Sequence, residues 1–309
     1  MRKVSFAPRI LSLWPANAAP RPGGLHRRLN GMERIGAMLL GLVLSACQVS
    51  PVQRMDPEST PVGLPLSPLL PTGIHLQGVF PVPPQLEGKP TTHTELRYLL
   101  YLPERYYQES ERHWPLILFL HGSGDDDYDS GFVMSFGLPE VLALGEQPKD
   151  FPFMVLSPQV IPGQTWWSDD IQLILGGLLD EITATYRVDA NRVYLTGVDM
   201  GGYGSWHLAT VYPEKFAALV SISGSGYWTV RTSRRDYLCR MQDLAVWAIH
   251  GAQDNIADPE TAETNLQALG DSCRGEVKWT LYPDQGHLGT PAVAYRDPEL
   301  YAWMLEHSR

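Results

Sequence analysis

Residues 193–206 read VYLTGVDMGGYGSW, a pattern that predicts a strand, a sharp glycine turn and then a helix. Asp199 lies at the tip of the turn, and Gly197, Gly201 and Gly202 leave room around it for a strained backbone. A helix that begins directly after the tip favours negative charge at that point. The stretch is therefore typical of a functional turn at the carboxyl end of a strand. A glycine-rich turn without chemistry is the alternative.

Strands and helices alternate along the rest of the chain. Predicted strands cover residues 95–102, 115–121, 153–158, 192–197, 216–224, 244–251 and 277–283. Predicted helices cover residues 169–186, 201–212, 259–270 and 298–308, with Gly270 as the stop of the third. This alternation predicts an α/β fold with a mostly parallel sheet that is covered on both faces. No internal repeat or second domain is evident, so residues 76–309 are predicted to form a single domain.

Four polar loops follow predicted strands, and they read HGSGDDD, GVDMGG, HGAQD and PDQGH. Because ligands bind at the carboxyl ends of the strands in an open parallel sheet, we expect these loops to meet at one edge. They supply Asp199, Asp254 and His287 as candidate catalytic residues, in the chain order turn residue, acid, histidine. Asp258 competes with Asp254 for the part of the acid.

The order, spacing and flanks of these motifs resemble the α/β-hydrolase superfamily over roughly residues 90–307. The most similar branch is that of secreted polyhydroxybutyrate-depolymerase-like and predicted-peptidase esterases, whose elbow reads G-x-S-M-G-G where this chain has GVDMGG. The resemblance implies a hydrolase of ester bonds in a small or polymeric substrate, with Asp254 as the triad acid and His287 as the triad histidine. It also implies an oxyanion hole made by the backbone N–H groups of Met200 and Ser123. No cofactor or metal ion is implied.

Asp199 stands where that family carries serine, and three hypotheses follow. The first is an esterase with an aspartate in the nucleophile position, and the second is a disabled hydrolase fold that serves as a binding lipoprotein. The third is a dehalogenase or epoxide hydrolase, because a carboxylate can displace a leaving group at saturated carbon. Those enzymes insert a helical cap, for which the roughly twenty residues between the strands 216–224 and 244–251 are too few. We also expect Asp199 beside His287 to raise the pKa of the histidine.

Aromatic residues near the polar loops are candidates for a substrate-binding wall, namely Trp166, Trp167, Tyr203 and Tyr227. Each is equally compatible with a place in the core or at the rim. The acidic stretch at residues 125–129 begins like a calcium-binding loop but departs from that pattern at its later positions. It is interpreted as a solvated loop at the mouth of the site.

The N-terminal part predicts a lipid anchor. Residues 36–46 form an apolar run that is too short to span a bilayer and has the length of a signal-peptide core. Leu44-Ser45-Ala46-Cys47 resembles a bacterial lipobox, in which the cysteine is lipidated. Residues 32–46 are therefore interpreted as a lipoprotein signal peptide, residues 47–75 as the lipidated Cys47 with a proline-rich tether, and residues 1–31 as a mis-assigned extension. The predicted location is the cell envelope, on the periplasmic or outer side.

Composition and charge narrow the classes of partner. The 309 residues are 44% hydrophobic and 10% aromatic, which suits a globular domain with a substantial core. The formal net charge of −10 and the lack of a long basic run argue against a nucleic-acid partner. Outside the cytoplasm a disulfide between Cys239 and Cys273 is one option, and two free buried thiols are the other. The oligomeric state stays open.

Overall fold

An eight-stranded sheet forms the centre of the domain. The computed structural model describes residues 72–123, 133–226 and 234–309. The strands of the sheet are β1 His75–Pro81, β4 Glu95–Tyr101, β5 Trp114–Leu120, β6 Met154–Pro158, β7 Val188–Val198, β8 Ala218–Ile222, β9 Ala245–Gly251 and β10 Val277–Tyr282. A separate short hairpin is formed by β2 Gln85–Leu86 and β3 Lys89–Pro90. The order across the sheet is β1-β4-β6-β5-β7-β8-β9-β10.

The sheet is mostly parallel, as predicted. β6, β5, β7, β8, β9 and β10 pair in parallel, whereas β1 and β4 add an antiparallel edge. Parallel strands place their carboxyl ends along one edge of a sheet, and the turns after β5, β7, β9 and β10 therefore meet there. β1 was not predicted from the sequence, because its partly exposed edge lacks the continuous apolar run of the central strands.

Helices cover both faces of the sheet. They are α1 Leu138–Leu144, α2 Asp169–Thr185, α3 Met200–Val211, α4 Arg234–Leu238, α5 Pro259–Cys273, α6 Gly289–Ala294 and α7 Pro298–Leu305. Successive side chains of β5 point to opposite faces of the sheet, so this strand contributes to the hydrophobic core on each face. Leu116, Leu118 and Leu120 pack on the face that carries α2, α3 and α5, whereas Ile117 and Phe119 pack on the face that carries α1 and α7.

One predicted helix end is wrong, and some short helices were not predicted. Gly270 does not end its helix, since α5 continues to Cys273 and ends at Arg274, which takes the left-handed conformation at φ 63°. The short helices α1, α4 and α6 were not predicted, because five to seven residues are too few for a clear helical period. Residues 223–244 connect β8 to β9 and leave no room for an inserted cap domain.

A disulfide joins Cys239 to Cys273, with their Cα atoms 5.0 Å apart. It links the short 3₁₀ helix Cys239–Met241 to the last residue of α5. The sequence left open a disulfide or two free thiols, and the structure contains the disulfide. Within the described ranges no helix is both long and apolar enough to cross a membrane. Cys47 and the predicted signal peptide lie outside the described residues.

Candidate active site

The turn between β7 and α3 holds Asp199 in a backbone conformation that few residues adopt. Asp199 has φ 51° and ψ −117°, and its N–H donates to the Ile222 carbonyl oxygen at 3.1 Å. A Cβ atom on Gly197 would lie 2.2 Å from the Gly201 carbonyl oxygen, and one on Gly201 would lie 1.9 Å from the Leu120 carbonyl oxygen. Only glycine fits at both positions, so β5, β7 and α3 approach closely enough to form the tight turn.

The predicted acid and histidine are in direct contact. His287 Nδ1 lies 2.9 Å from Asp254 Oδ2. The other oxygen, Asp254 Oδ1, accepts the N–H groups of Ile256 at 3.0 Å and Ala257 at 2.9 Å, which fixes the carboxylate in the turn after β9. Asp258 has a different place, because its side chain accepts N–H groups at the start of α5. The structure thus brings Asp254, and not Asp258, to the histidine.

His287 lies between two carboxylates. Its Nε2 atom is 3.5 Å from Asp199 Oδ1, on the side opposite to Asp254. The exposed fractions of the side chains are 0% for Asp254, 8% for His287 and 18% for Asp199. Contact with Asp199 is the main cause that raises the pKa of His287, burial opposes it, and Asp254 adds to the rise. Burial alone would raise the pKa of Asp254, but N–H groups and His287 bring it below its ordinary value.

The second carboxylate oxygen of Asp199 accepts a hydrogen bond from the backbone. Ser123 N–H donates to Asp199 Oδ2 at 2.8 Å. Burial disfavours the charged form of Asp199, yet hydrogen bonds with His287, Ser123 and Met200 lower its pKa well below the ordinary value. The two N–H groups that were predicted to form an oxyanion hole therefore both face a carboxylate that belongs to the protein. Ionised Asp199 and protonated His287 stabilise each other.

The aromatic candidates differ in position. Trp166 is wrong as a wall residue, because its side chain is 0% exposed and its Nε1–H donates to the His121 carbonyl oxygen at 2.8 Å. Tyr203 is half-buried, and its N–H donates to the Asp199 carbonyl oxygen at 3.0 Å; burial raises its pKa, and the charges of Asp199 and Asp254 add to the rise. Trp167 is half-buried as well, and its part in binding stays a prediction. Tyr227 and the acidic stretch 125–129 lie outside the described residues.

Two buried histidines lie behind the site, and the sequence predicted no role for their side chains although both stand in the polar-loop motifs. His121 follows β5 and lies under the Ser123 loop, 5% exposed. His250 lies behind the triad acid, with Nε2 3.6 Å from Asp254 Oδ2 and 3.3 Å from the Ala257 carbonyl oxygen. Burial lowers the pKa of both histidines. The signal that could have found them is the His-Gly pair that stands at the carboxyl ends of both β5 and β9.

Within the parts of the chain that are described, no group of three or more His, Cys, Asp or Glu side chains is placed to hold a metal ion. The arrangement offers instead a carboxylate–imidazole–carboxylate row with backbone donors at one end. Such a row can move a proton and hold charge on an oxygen next to His287.

Comparisons with known proteins agree with this fold and with a hydrolase. The Esterase family model matches residues 90–281. A bifunctional acetylxylan esterase/xylanase of Neocallimastix patriciarum is 27% identical over 55% of this chain and 24% of its own length. A poly(3-hydroxyoctanoate) depolymerase of Pseudomonas fluorescens is 29% identical over 36% of this chain and 46% of its own length. The matches therefore span less than half of these relatives.

Solved structures support the same fold. A thermostable esterase superposes with a TM-score of 0.64 at 26% identity, over 76% of this chain and 63% of its own. An S-formylglutathione hydrolase from Agrobacterium tumefaciens superposes with a TM-score of 0.56 at 16% identity, over 77% of this chain and 97% of its own. The second likeness concerns the fold alone.

Proposed function

Because the chain belongs to the Esterase family and is a hydrolase of the α/β type, we propose that it acts on carboxylic esters outside the cytoplasm, with Asp199 in the nucleophile position. One observation carries the proposal: the imidazole of His287, held at 2.9 Å by Asp254, lies 3.5 Å from the side chain of residue 199. The relatives named for acetylxylan and for poly(3-hydroxyoctanoate) support two substrate classes, acetylated polysaccharides and polyesters.

Asp199 makes this ester hydrolysis slow, for two reasons. A carboxylate that attacks an ester carbonyl forms a tetrahedral adduct, and the adduct expels the carboxylate again because it is the better leaving group. In addition, Asp199 Oδ2 accepts the Ser123 N–H at 2.8 Å, and a substrate oxyanion needs that donor. A serine hydroxyl at residue 199 would leave the donor free and would face His287. On this proposal His287 and the Ser123 N–H are placed for ester cleavage, and the side chain of Asp199 limits its rate.

The test is ester turnover by Asp199→Ser against the native chain, with short p-nitrophenyl esters. Because loss of one oxyanion donor costs about 100-fold to 1,000-fold in kcat, we expect the variant to gain at least about 100-fold. The matched control is Asp199→Ser combined with His287→Gln, which should lose the gain. A folded Asp199→Ser variant with no gain would overturn the proposal. Native turnover that Asp199→Ala abolishes would assign the carboxylate a chemical part of its own.

A second candidate function is displacement at a saturated carbon, and the unequal environments of the two Asp199 oxygens favour it. Oδ2 is held by the Ser123 N–H, whereas Oδ1 faces His287. Oδ1 would attack the carbon, a halide or an epoxide oxygen would leave, and water would then cleave the ester formed on Asp199. This last step needs a neutral His287 to take the proton of the water, which the raised pKa of His287 opposes.

This candidate is checked with a bromoalkane and an epoxide. The His287→Gln variant should accumulate a covalent adduct on Asp199, seen by intact mass, if displacement occurs. Release of bromide or diol by the native chain would place this function above ester hydrolysis. Ligand binding without turnover of any of these compounds by either residue-199 form would favour the binding lipoprotein.

The predicted lipid anchor has its own test. Cys47 follows the lipobox-like tetrapeptide, so the native chain should partition into the detergent phase of a cell-envelope extract. The Cys47→Ser variant should stay in the aqueous phase. Equal partition of both forms would rule out lipidation at this residue.

A further inference from the structure

His121 lies directly beneath the peptide that presents the Ser123 N–H. The Val160 N–H donates to His121 Nε2 at 3.1 Å, and Gln159 Nε2 lies 3.2 Å from the same atom. Because Nε2 accepts a hydrogen bond, it carries no proton, and the proton of the neutral ring must be on Nδ1. Burial lowers the pKa of His121 to about 4, so the ring is neutral near pH 7. His121 Nδ1–H then donates to the Gly122 carbonyl oxygen, 2.8 Å away.

This hydrogen bond fixes the direction of the Ser123 N–H. The Gly122 carbonyl and the Ser123 N–H belong to one peptide unit, and no described peptide bond is cis. In a trans peptide the C=O and N–H groups point in opposite directions. When His121 holds the carbonyl oxygen beneath the loop, the N–H points away from it and reaches Asp199 Oδ2 at 2.8 Å.

The packing below leaves the ring little freedom. Trp166 Nε1–H donates to the His121 carbonyl oxygen at 2.8 Å, and the rings of Trp166 and His121 meet edge to face with centroids 4.9 Å apart. The side chains of His121 and Trp166 are 5% and 0% exposed. Rotation of the imidazole would therefore break contacts with the turn after β6 as well as with Gly122.

We propose that His121 is a positioning residue for ester cleavage: its neutral Nδ1–H tautomer orients the Gly122–Ser123 peptide so that the Ser123 N–H faces the oxygen at residue 199 or on the substrate. The inference rests on the proposed ester hydrolysis, in which this N–H binds the oxyanion. His121 itself touches no reacting atom. Its effect is on the direction of one backbone donor.

Two matched variants separate this part from a merely structural one. In His121→Asn the amide nitrogen can take the place of Nδ1 and donate to Gly122. In His121→Gln the amide oxygen can take the place of Nε2 and accept the Val160 N–H, while the donor to Gly122 is lost. His121→Asn loses the acceptor of the Val160 N–H and of Gln159 Nε2, and His121→Gln loses the donor to the Gly122 carbonyl oxygen, so the melting temperature should fall in both variants.

The first readout uses the full native chain and needs no turnover. Nitrogen-15 NMR of native His121 should give the Nδ1–H tautomer, and the amide proton of Ser123 should be shifted downfield by the Asp199 carboxylate. That downfield shift should persist in His121→Asn and be lost in His121→Gln. An Nε2–H tautomer, or equal Ser123 shifts in the two variants, would overturn the inference.

The second readout is kcat in the Asp199→Ser background. We expect His121→Gln to lose about 100-fold in kcat with little change in KM, and His121→Asn to retain most of kcat. Equal losses of kcat in both variants would contradict the inference that His121 is a positioning residue. If Asp199→Ser itself cleaves no ester, the proposed function fails. The NMR readout on the native chain still decides whether His121 orients the Gly122–Ser123 peptide.

Discussion

Replacing Asp199 by Asn and His287 by Gln, singly and together, measures how strongly these two charged side chains interact. Nε2 and Oδ1 are 3.5 Å apart, and two unit charges at that distance attract by about 5 kcal/mol at an effective dielectric constant of about 20. The side chains are 8% and 18% exposed, so solvent screens the pair in part. We expect a coupling free energy of about 2–3 kcal/mol from the double-mutant cycle.

The pH dependence of this coupling has a definite sign. The pKa of His287 is raised above 6.5, so the stability it adds is fully present below pH 6.5 and is lost as pH rises through the raised pKa. The pKa of Asp199 is lowered from 3.8, so its contribution is present above pH 3.8 and is lost only in stronger acid. The coupling should therefore be largest between these two ordinary values and should weaken in alkaline solution.

The assay is urea unfolding of the four proteins at about pH 5 and about pH 9, with the free energy of unfolding taken from the midpoint and slope. His307 and Glu276 provide a control pair 3.1 Å apart, in which the Glu276 side chain is 68% exposed. Their cycle should give less than about 1 kcal/mol. A coupling of Asp199 with His287 as small as that of the control, or one that grows with pH, would refute the argument for an imidazolium between two carboxylates.

Three further predictions concern the frame of the site. Removing the Cys239–Cys273 disulfide, which closes a 34-residue separation, should lower the free energy of unfolding by about 4 kcal/mol, measured by urea unfolding with and without reductant. Gly201→Ala should cost roughly 3 kcal/mol, because its Cβ would meet a carbonyl oxygen at 1.9 Å; a normal melting temperature would contradict this. The free energy of unfolding of Asp199→Gly, measured in urea, should exceed that of Asp199→Ala by about 1–2 kcal/mol, since only glycine adopts φ 51° without strain.

The sequence was sufficient for the parallel core of the fold. β5 is buried along its whole length, and such a strand reads as the unbroken apolar run that the sequence displays at residues 115–121. The meeting of the polar loops followed from topology, because parallel strands bring distant loops to one edge, whereas the resemblance to α/β-hydrolases implied Asp254 and His287 as acid and histidine. The resemblance favoured Asp254 over the competing Asp258, and the structure gives the reason: Asp254 accepts N–H groups of its own turn beside His287, whereas Asp258 caps α5.

Other features depend on contacts that no local pattern carries. Trp166 and Trp167 are adjacent in sequence, yet the first is buried and the second is half-buried. The Nε1–H of buried Trp166 donates to the His121 carbonyl oxygen, 45 residues away in the chain. The neutral tautomer of His121 likewise depends on the Val160 N–H, 39 residues away. Gly270 was predicted as a helix stop, but α5 passes through it since the left-handed cap is taken by Arg274.

The elbow retains the backbone of a nucleophile at a residue that is not a serine. The φ of 51° at Asp199 costs about 1–3 kcal/mol, and close packing at Gly197 and Gly201 imposes it whatever side chain stands at the tip. The Ser123 donor is likewise held from below by its own loop, through the Gly122 carbonyl oxygen. Neither feature depends on the carboxylate, so a serine at residue 199 would inherit both. Asp199 instead accepts the Ser123 N–H and pairs with His287 through its own charge, and we infer that this single side chain limits the rate of ester turnover.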